Sequence, residues 1–379
     1  MITIYGKYTD AIVYTCENEA YAMDDYARKQ IQMLCNHPSA QGSVIRVMPD
    51  VHLGKVGTIG LTMTVGDSLL PNLVGVDIGC GLTIAKIKAK NVEFQKLDKV
   101  IREQVPVGGA IRKKEHKMAS RTRIDEMRCA KKIDNGKALR SIGTLGGGNH
   151  FIEVDQGDDG SLYLVIHSGS RHLGMEVTDY YLKAGQLEQQ MKKEGGHAPY
   201  EMTCLSGKLL DDYLHDLEIM QEFAAINRDA MVEEIVGGMK WRVENQYSCI
   251  HNYVDFSGKV PILRKGAISA KKDEKVIIPM NMKDGVILGR GLGNEEWNQS
   301  APHGSGRVYR RSEVKEHHTL SAFKKEMQGI YSICVNKDTL DESPFAYRRI
   351  EDMISVIQET VRIEEVIRPI YNYKAGGTQ

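Results

Sequence analysis

Five short segments of the chain combine glycine with a metal-capable or nucleophilic side chain. They are MPDVHLG (48–54), GVDIGCG (75–81), GTLGGGNHF (143–151), VIHSGSRH (165–172) and APHGSGR (301–307). A sixth, CIHNYV (249–254), sets His251 beside Cys249 and Asn252. Asp77 and Cys80 stand three apart, framed by Gly75, Gly79 and Gly81. A thiolate there can bridge two cations, and the carboxylate adds an oxygen ligand. His150 and His167 each follow a strand-like approach and sit beside glycine-rich turns. Imidazole suits Zn, Fe, Ni, Cu and, with carboxylate help, Mn. Asp77, Cys80, His150, His167 and His251 are enough for two cations with open positions, an arrangement that clamps the attacking and leaving oxygens of a phosphoryl transfer. Each residue alone has a plainer reading. A lone histidine is more often a hydrogen-bonded core residue, and a lone cysteine a small hydrophobe. Glycine near most of the candidates shifts the balance, because it lets backbone approach a metal or phosphate closely.

GTLGGGNHF carries four glycines in six residues, a pattern suited to a backbone concavity that accepts an oxyanion. Asn149 is a candidate donor to a phosphate oxygen; the alternative is a strand-to-strand turn without ligand. In HGSGR, His303 is a candidate phosphorus nucleophile forming a phosphoramidate, with Arg307 neutralising phosphate charge. The bland option is a surface loop with a solvated arginine. Other nucleotide and hydrolase signatures are missing. Five Gly-Lys pairs occur, but none continues into Ser or Thr as a P-loop requires. GRGLGN (289–294) lacks the third glycine of the dinucleotide fingerprint, and MKDG (282–285) is one residue short of the lysine motif of ordinary nucleotidyl-transferring ligases. Neither HExxH nor GxSxG is present.

The elements that must position these groups are legible from periodicity. Residues 44–90 read as strands and tight turns, with Ile59, Leu61, Met63 and Val65 alternating and another β run at 82–87. Residues 161–168 read as a buried strand ending at His167, and strand-like pieces return at 276–279 and 286–289. Leu210, Tyr213, Leu214, Leu217, Met220 and Phe223 predict a long amphipathic helix over 208–236; Tyr347, Ile350, Ile354, Ile357 and Val361 predict another near the end. Residues 112–140 are the most basic stretch, with eleven Lys or Arg against four acids. Such a run is either a solvated face or a nucleic-acid contact.

Composition narrows the class. The 379 residues carry 50 Lys+Arg and 50 Asp+Glu, which argues against a wholesale polycation but permits a local basic patch. A 41% hydrophobic and 26% charged content is that of a globular chain. No apolar run is long enough to span a membrane, and seven cysteines without a CxxC pair fit a reducing, cytoplasmic setting. No linker separates the parts, so the expectation is one α+β domain over 1–379, mixed sheets around a central dinuclear metal site with helices outside.

The order MPDVHLGK, GVDIGCG, LGGGNHFIEV, HSGSRHLG, HN, RKGA, HGSGR and DESPFAY closely resembles the RtcB family of GTP-dependent RNA ligases, from about residue 44 to the C-terminus. The resemblance implies joining of an RNA 2′,3′-cyclic phosphate or 3′-phosphate end to a 5′-hydroxyl end, using GTP and two Mn²⁺, in RNA repair or tRNA splicing. It implies that Cys80 bridges both metals, that His167 and His251 complete one site, and that Asp77 and His150 complete the other. His303 would be guanylylated, then pass GMP to the 3′-phosphate to make an RNA–ppG end that the 5′-hydroxyl attacks. Asn149, Glu153, His303, Arg307, Tyr347 and Lys374 would contact the nucleotide, with Tyr347 stacking on guanine and Lys374 hydrogen-bonding it. RNA ends, GTP and an accessory repair factor are the implied partners. The chain departs from the family at PMNMKDG…APHGSGR, where the usual block reads roughly PGSMG…CHGAGR, and it is compact, which suggests a divergent bacterial branch. The rivals are a dinuclear metal-dependent cyclic phosphodiesterase without ligation, and an RNA-binding module that has lost catalysis. The retained His303 and the five intact metal candidates separate the ligase from both.

Overall fold

The structure, a computed structural model, describes residues 1–16, 22–192 and 199–374. It is an α+β fold built on two sheets. The seven-stranded sheet runs in the order 242–250, 81–88, 162–168, 151–156, 361–374, 285–291, 275–281, and every neighbouring pair is antiparallel. The six-stranded sheet runs 2–4, 11–13, 45–52, 59–64, 262–265, 252–255. Among the described strands the two sheets follow one another directly at a single residue, His251, which lies between Arg242–Ile250 of one and Asn252–Asp255 of the other.

Alternation decides what each face of the large sheet does, because successive side chains point to opposite sides. Ile152, Val154, Leu164 and Ile166 face outward onto Met231 and Ile235 of the helix Gly207–Met239 and Leu97 and Ile101 of the helix Phe94–Gln104. Leu82, Ile84, Phe151 and Val165 face the other way, onto Ile277, Val286, Leu288 and Ile367. Strands far apart in the sheet order thus share one apolar interior, so the sheet curls upon itself. Fully burying each such side chain stabilises by roughly 1.5–3 kcal/mol.

The long helix expected over 208–236 is present as Gly207–Met239, and its buried stripe includes Leu210, Tyr213, Leu217, Met220 and Phe223. It also buries three polar residues that fasten the loops around it, Asp216 accepting from the N–H groups of Arg128 and Cys129. Asn227 accepts from the N–H groups of Gly143 and Thr144 and donates to Gly169 O. Arg228, fully buried, donates to Gly79 O at 2.8 Å and Ser168 O at 2.9 Å. Truncating Asn227 or Arg228 leaves buried backbone groups unpaired, at roughly 1–3 kcal/mol each.

The second helix is shorter than its apolar spacing suggests. It spans Ile350–Ile357; Tyr347 precedes it in a loop and Val361 opens the strand Val361–Lys374. From Val361 onward β-branched and aromatic residues are frequent, and alternation holds over 361–364 before it breaks at Glu364 and Glu365 (VRIEEVIRPIYNY), so the strand pattern wins. The basic stretch 112–140 folds as short 3₁₀ turns plus the helix Asn135–Arg140. Four of its bases are neutralised by the long helix, pairing as Arg112–Glu234, Lys117–Glu233, Arg123–Glu222 and Arg128–Asp212. No helix of the described residues is long and apolar enough to cross a membrane.

Candidate active site

Cys80 ends the turn leading into the strand Gly81–Lys88, and His167 lies on the adjacent strand Leu162–Ser168, paired in register with Leu82. His150 precedes the strand Phe151–Gln156, and His251 sits at the junction of the two sheets, its N–H bonded to Cys80 O at 2.8 Å. The side chains converge. Cys80 Sγ is 3.3 Å from His167 Nε2 and 3.5 Å from His150 Nε2. His150 Nε2 is 3.0 Å from Asp77 Oδ2, and His167 Nε2 is 3.0 Å from His251 Nε2. Two trios result: Cys80, His167 and His251, and Asp77, Cys80 and His150, with Cys80 common to both.

The protonation pattern suits cations. His150 Nδ1 lies 2.8 Å from Leu145 O and His167 Nδ1 lies 3.1 Å from Asn149 O. Carbonyls only accept, so both Nδ1 atoms carry the proton and both Nε2 atoms present lone pairs toward the Cys80 sulfur. Burial holds His167 and His251 well below the usual imidazole range, and neighbouring histidines push them further down. Burial raises the Asp77 carboxyl, but His150 outweighs it, and the group stays ionised far below its ordinary value. Without a cation, burial and Asp77 together drive the Cys80 thiol well up. Lone pairs aimed at one another in a buried space, around a sulfur and a carboxylate, are a donor set that a pair of divalent ions fits.

His303 follows the strand Ser300–Pro302 and enters the same space from the opposite side, its ring centroid 4.7 Å from that of His251. Its Nδ1 lies 2.6 Å from Asp50 Oδ2. Asp50 is fully buried on the strand Ile45–His52, and Arg348 donates to the carbonyls on either side of it, Pro49 O and Val51 O. Gly306, at φ 73, lets the HGSGR turn approach that strand; a Cβ there would lie 2.8 Å from Asp50 O. With Nδ1–H committed to a carboxylate, Nε2 is the nucleophilic nitrogen.

A cavity of about 130 Å³ leads away from His303 and His167, lined among others by His52, Asn149, Glu153, Met280, Arg307, Tyr347 and Lys374. All the proposed nucleotide residues therefore line this one cavity, but several are engaged. Arg307 contacts Glu342 at 3.3 Å and Tyr347 Oη at 3.2 Å, with its guanidinium 5.1 Å from the Tyr347 ring centroid. Lys374 Nζ lies 2.6 Å from Glu342 Oε2. Glu342 is thus the hub of these contacts. Burial would raise its carboxyl, but Lys374, Arg311 and Arg307 bring it down to about 2. Glu153 accepts from Asn372 at 2.5 Å, and burial pushes its carboxyl up to about 7. The departing 279–285 block forms a turn in which Asn281 Oδ1 accepts from the Lys283 and Asp284 N–H groups.

Asp50, Asn227, Arg228 and Glu342 were not singled out by the sequence reading. Asp50 and Glu342 lie inside quoted blocks, MPDVHLG and DESPFAY, and their acidity was the available signal. Asn227 and Arg228 are adjacent polar residues in the apolar run FAAINRDAMV, which is the mark of a buried polar anchor.

The family model for the tRNA-splicing ligase RtcB matches residues 30–133 and 115–375. An RNA-splicing ligase RtcB of Escherichia coli is 31% identical over 364 residues, covering 86% of this chain and 88% of its own length. The tRNA-splicing ligase RtcB of Archaeoglobus fulgidus is 26% identical, over 93% of this chain and 91% of its own. That of Aeropyrum pernix is 26% identical, covering 86% of each. With a cysteine-centred ligand cluster, a carboxylate-held histidine facing it and a family match over most of its length, the chain belongs to the RtcB family.

Proposed function

We propose that this chain is an RNA ligase that seals RNA 2′,3′-cyclic phosphate or 3′-phosphate ends to 5′-hydroxyl ends through a guanylylated His303. The family to which it belongs, with relatives named RNA-splicing and tRNA-splicing ligase, supports the activity. The observation that carries the mechanism is the placement of His303, fixed by Asp50 and 4.7 Å from the His251 ring, at the mouth of the cavity. A cyclic phosphodiesterase could use such a histidine only as an acid or base, so covalent labelling of His303 by GTP separates the two readings.

Asp77, Cys80 and His150 would hold one Mn²⁺, and Cys80, His167 and His251 the other. When bound, such ions neutralise phosphate oxygens and make a hydroxyl more acidic. His303 Nε2 attacks the α-phosphorus of GTP and pyrophosphate leaves; Asp50 holds the ring and the Nδ1 proton as positive charge grows on the imidazole. Asn149 faces the cavity as a phosphate donor, and Glu153 and Lys374 line the far wall as candidates for the base. A cyclic phosphate is first hydrolysed to a 3′-phosphate. GMP then passes from His303 to that phosphate, and the RNA 5′-hydroxyl attacks, expelling GMP. Because the residues of the site run from Asp50 to Lys374 and come from both sheets, the chain works as a single ligase domain and not as separate modules.

Incubation with α-labelled GTP and Mn²⁺ tests the reading. Wild type should carry an acid-labile, alkali-stable label, and His303→Ala none. Folded, metal-loaded wild type that takes no label while hydrolysing cyclic phosphate would instead establish the phosphodiesterase.

A further inference from the structure

Seven bases of the stretch 112–140 remain after the long helix has neutralised its four: Lys113, Lys114, Arg121, Lys131, Lys132, Lys137 and Arg140. Two pairs of them lie together. The Arg112 N–H bonds to Arg140 O at 2.9 Å, so Lys113 and Lys114 adjoin the C-terminal end of the helix bearing Lys137 and Arg140. Lys113, Lys114 and Arg140 are exposed, and Lys137 half-buried. Lys113 and Lys114 also border an open cleft of about 1110 Å³. Of its four acids, Glu233 and Glu234 are paired with Lys117, His116 and Arg112 and Glu103 lies 4.0 Å from Lys99, so Lys113 and Lys114 are offset on this side only by the exposed Glu115.

Between this patch and the metal-ligand cluster lies a saddle of bare backbone. Gly108 N–H bonds to Gly146 O at 2.8 Å, which sets the turn Gly108–Gly109 back to back with Gly147–Gly148. A Cβ built on Gly108, Gly109 or Gly148 would meet nothing within 4 Å, so the saddle is open above. The N–H groups of Gly109, Gly147 and Gly148 make no hydrogen bond among the described residues. Asn149, exposed, follows immediately, and its neighbour His150 is a ligand of the cluster. Arg171 pins the saddle in place, donating to Gly108 O at 3.1 Å.

We infer that this saddle, with Lys113, Lys114, Lys137 and Arg140 beyond it, is the track for the single RNA strand that delivers a reacting end to His303. The inference rests on the RNA-ligase reading. Free backbone N–H groups without Cβ cover suit phosphate oxygens, and four bases on the adjoining segments supply the sequence-independent attraction of a polyanion. The charge lies on the approach to the cluster, not within the nucleotide cavity, so it acts on RNA and leaves GTP alone.

The test uses the full chain and two independent pairs, Lys113→Glu with Lys114→Glu, and Lys137→Glu with Arg140→Glu. Three of the four side chains are exposed and Lys137 is half-buried, so the Lys113/Lys114 pair, exposed throughout, is the control for any loss of folding in the other. Three readouts are compared with wild type: GTP-dependent labelling of His303, joining of oligoribonucleotides at varied RNA concentration, and binding of a 5′-hydroxyl single-stranded RNA across a salt series. Labelling is expected to be unchanged. The RNA KM and Kd should rise roughly tenfold for each pair, and the slope of log affinity against log salt should flatten by about 1.4. Unchanged KM, Kd and salt slope in both pairs, with labelling intact, would overturn the track. Failure of wild type to label would instead remove the ligase reading, while the RNA-binding series would still decide whether the saddle carries RNA.

Discussion

His303 Nδ1 and Asp50 Oδ2 are 2.6 Å apart, although 253 positions separate them in the chain. Asp50 is completely buried and its other oxygen has no partner among the described residues, so this contact fixes both the orientation and the tautomer of the imidazole. Asp50→Asn keeps the shape but removes the charge that stabilises the positive charge developing on the ring as Nε2 attacks. Guanylylation of His303 should fall by about a hundredfold or more, with the thermal unfolding midpoint little changed. A labelling rate within twofold of wild type would show that the carboxylate is structural only.

Cys80 is the one side chain common to both ligand trios. Wild type should bind two equivalents of Mn²⁺ by equilibrium dialysis. Cys80→Ala should abolish tight binding of both, whereas His251→Ala and His150→Ala should each cost one. Equal loss from all three variants would mean that the two trios do not act as separate sites.

Glu153 ties stability to pH near neutrality. Its carboxyl sits at about 7 in the fold because burial disfavours the charged form, against 4.5 for the free group. Between those values the folded state binds more protons than the unfolded one. The stability contributed by the protonated group is therefore complete below pH 4.5 and lost as pH rises through 7, with a slope up to about 1.4 kcal/mol per pH unit. Glu153→Gln should flatten this part of the profile. Urea unfolding of both proteins at pH 5.5, 6.5 and 7.5 measures it, and parallel curves would count against the assignment.

Glu342 behaves oppositely. Its value of about 2, set by Lys374, Arg311 and Arg307 against the cost of burial, lies below the 4.5 of the free carboxyl. Its contribution is present above pH 4.5 and lost as pH falls toward 2. Glu342→Gln should destabilise by roughly 3 kcal/mol at pH 7, and less than about half of that difference should remain at pH 3. A difference independent of pH would assign the effect to packing.

Much of this protein is determined by the sequence itself. The ligand types, their glycine settings and the nucleophile's turn are local, because short motifs carry their own chemistry and the order of the blocks names the family. Strands such as 162–168 and the helix 207–239 are local too, since periodicities of two and 3.6 are read within a dozen residues. The structure decided what depends on distant segments meeting. Asp50 could be matched to His303 only once the strand 45–52 and the 303–307 turn were packed together, and Glu342 became a hub only because Lys374 closes the last strand beside it. The basic stretch shows the same limit. Its charge is plain in the sequence, but which bases face the long helix and which stay free depends on tertiary pairing, and only the free ones can attract a polyanion.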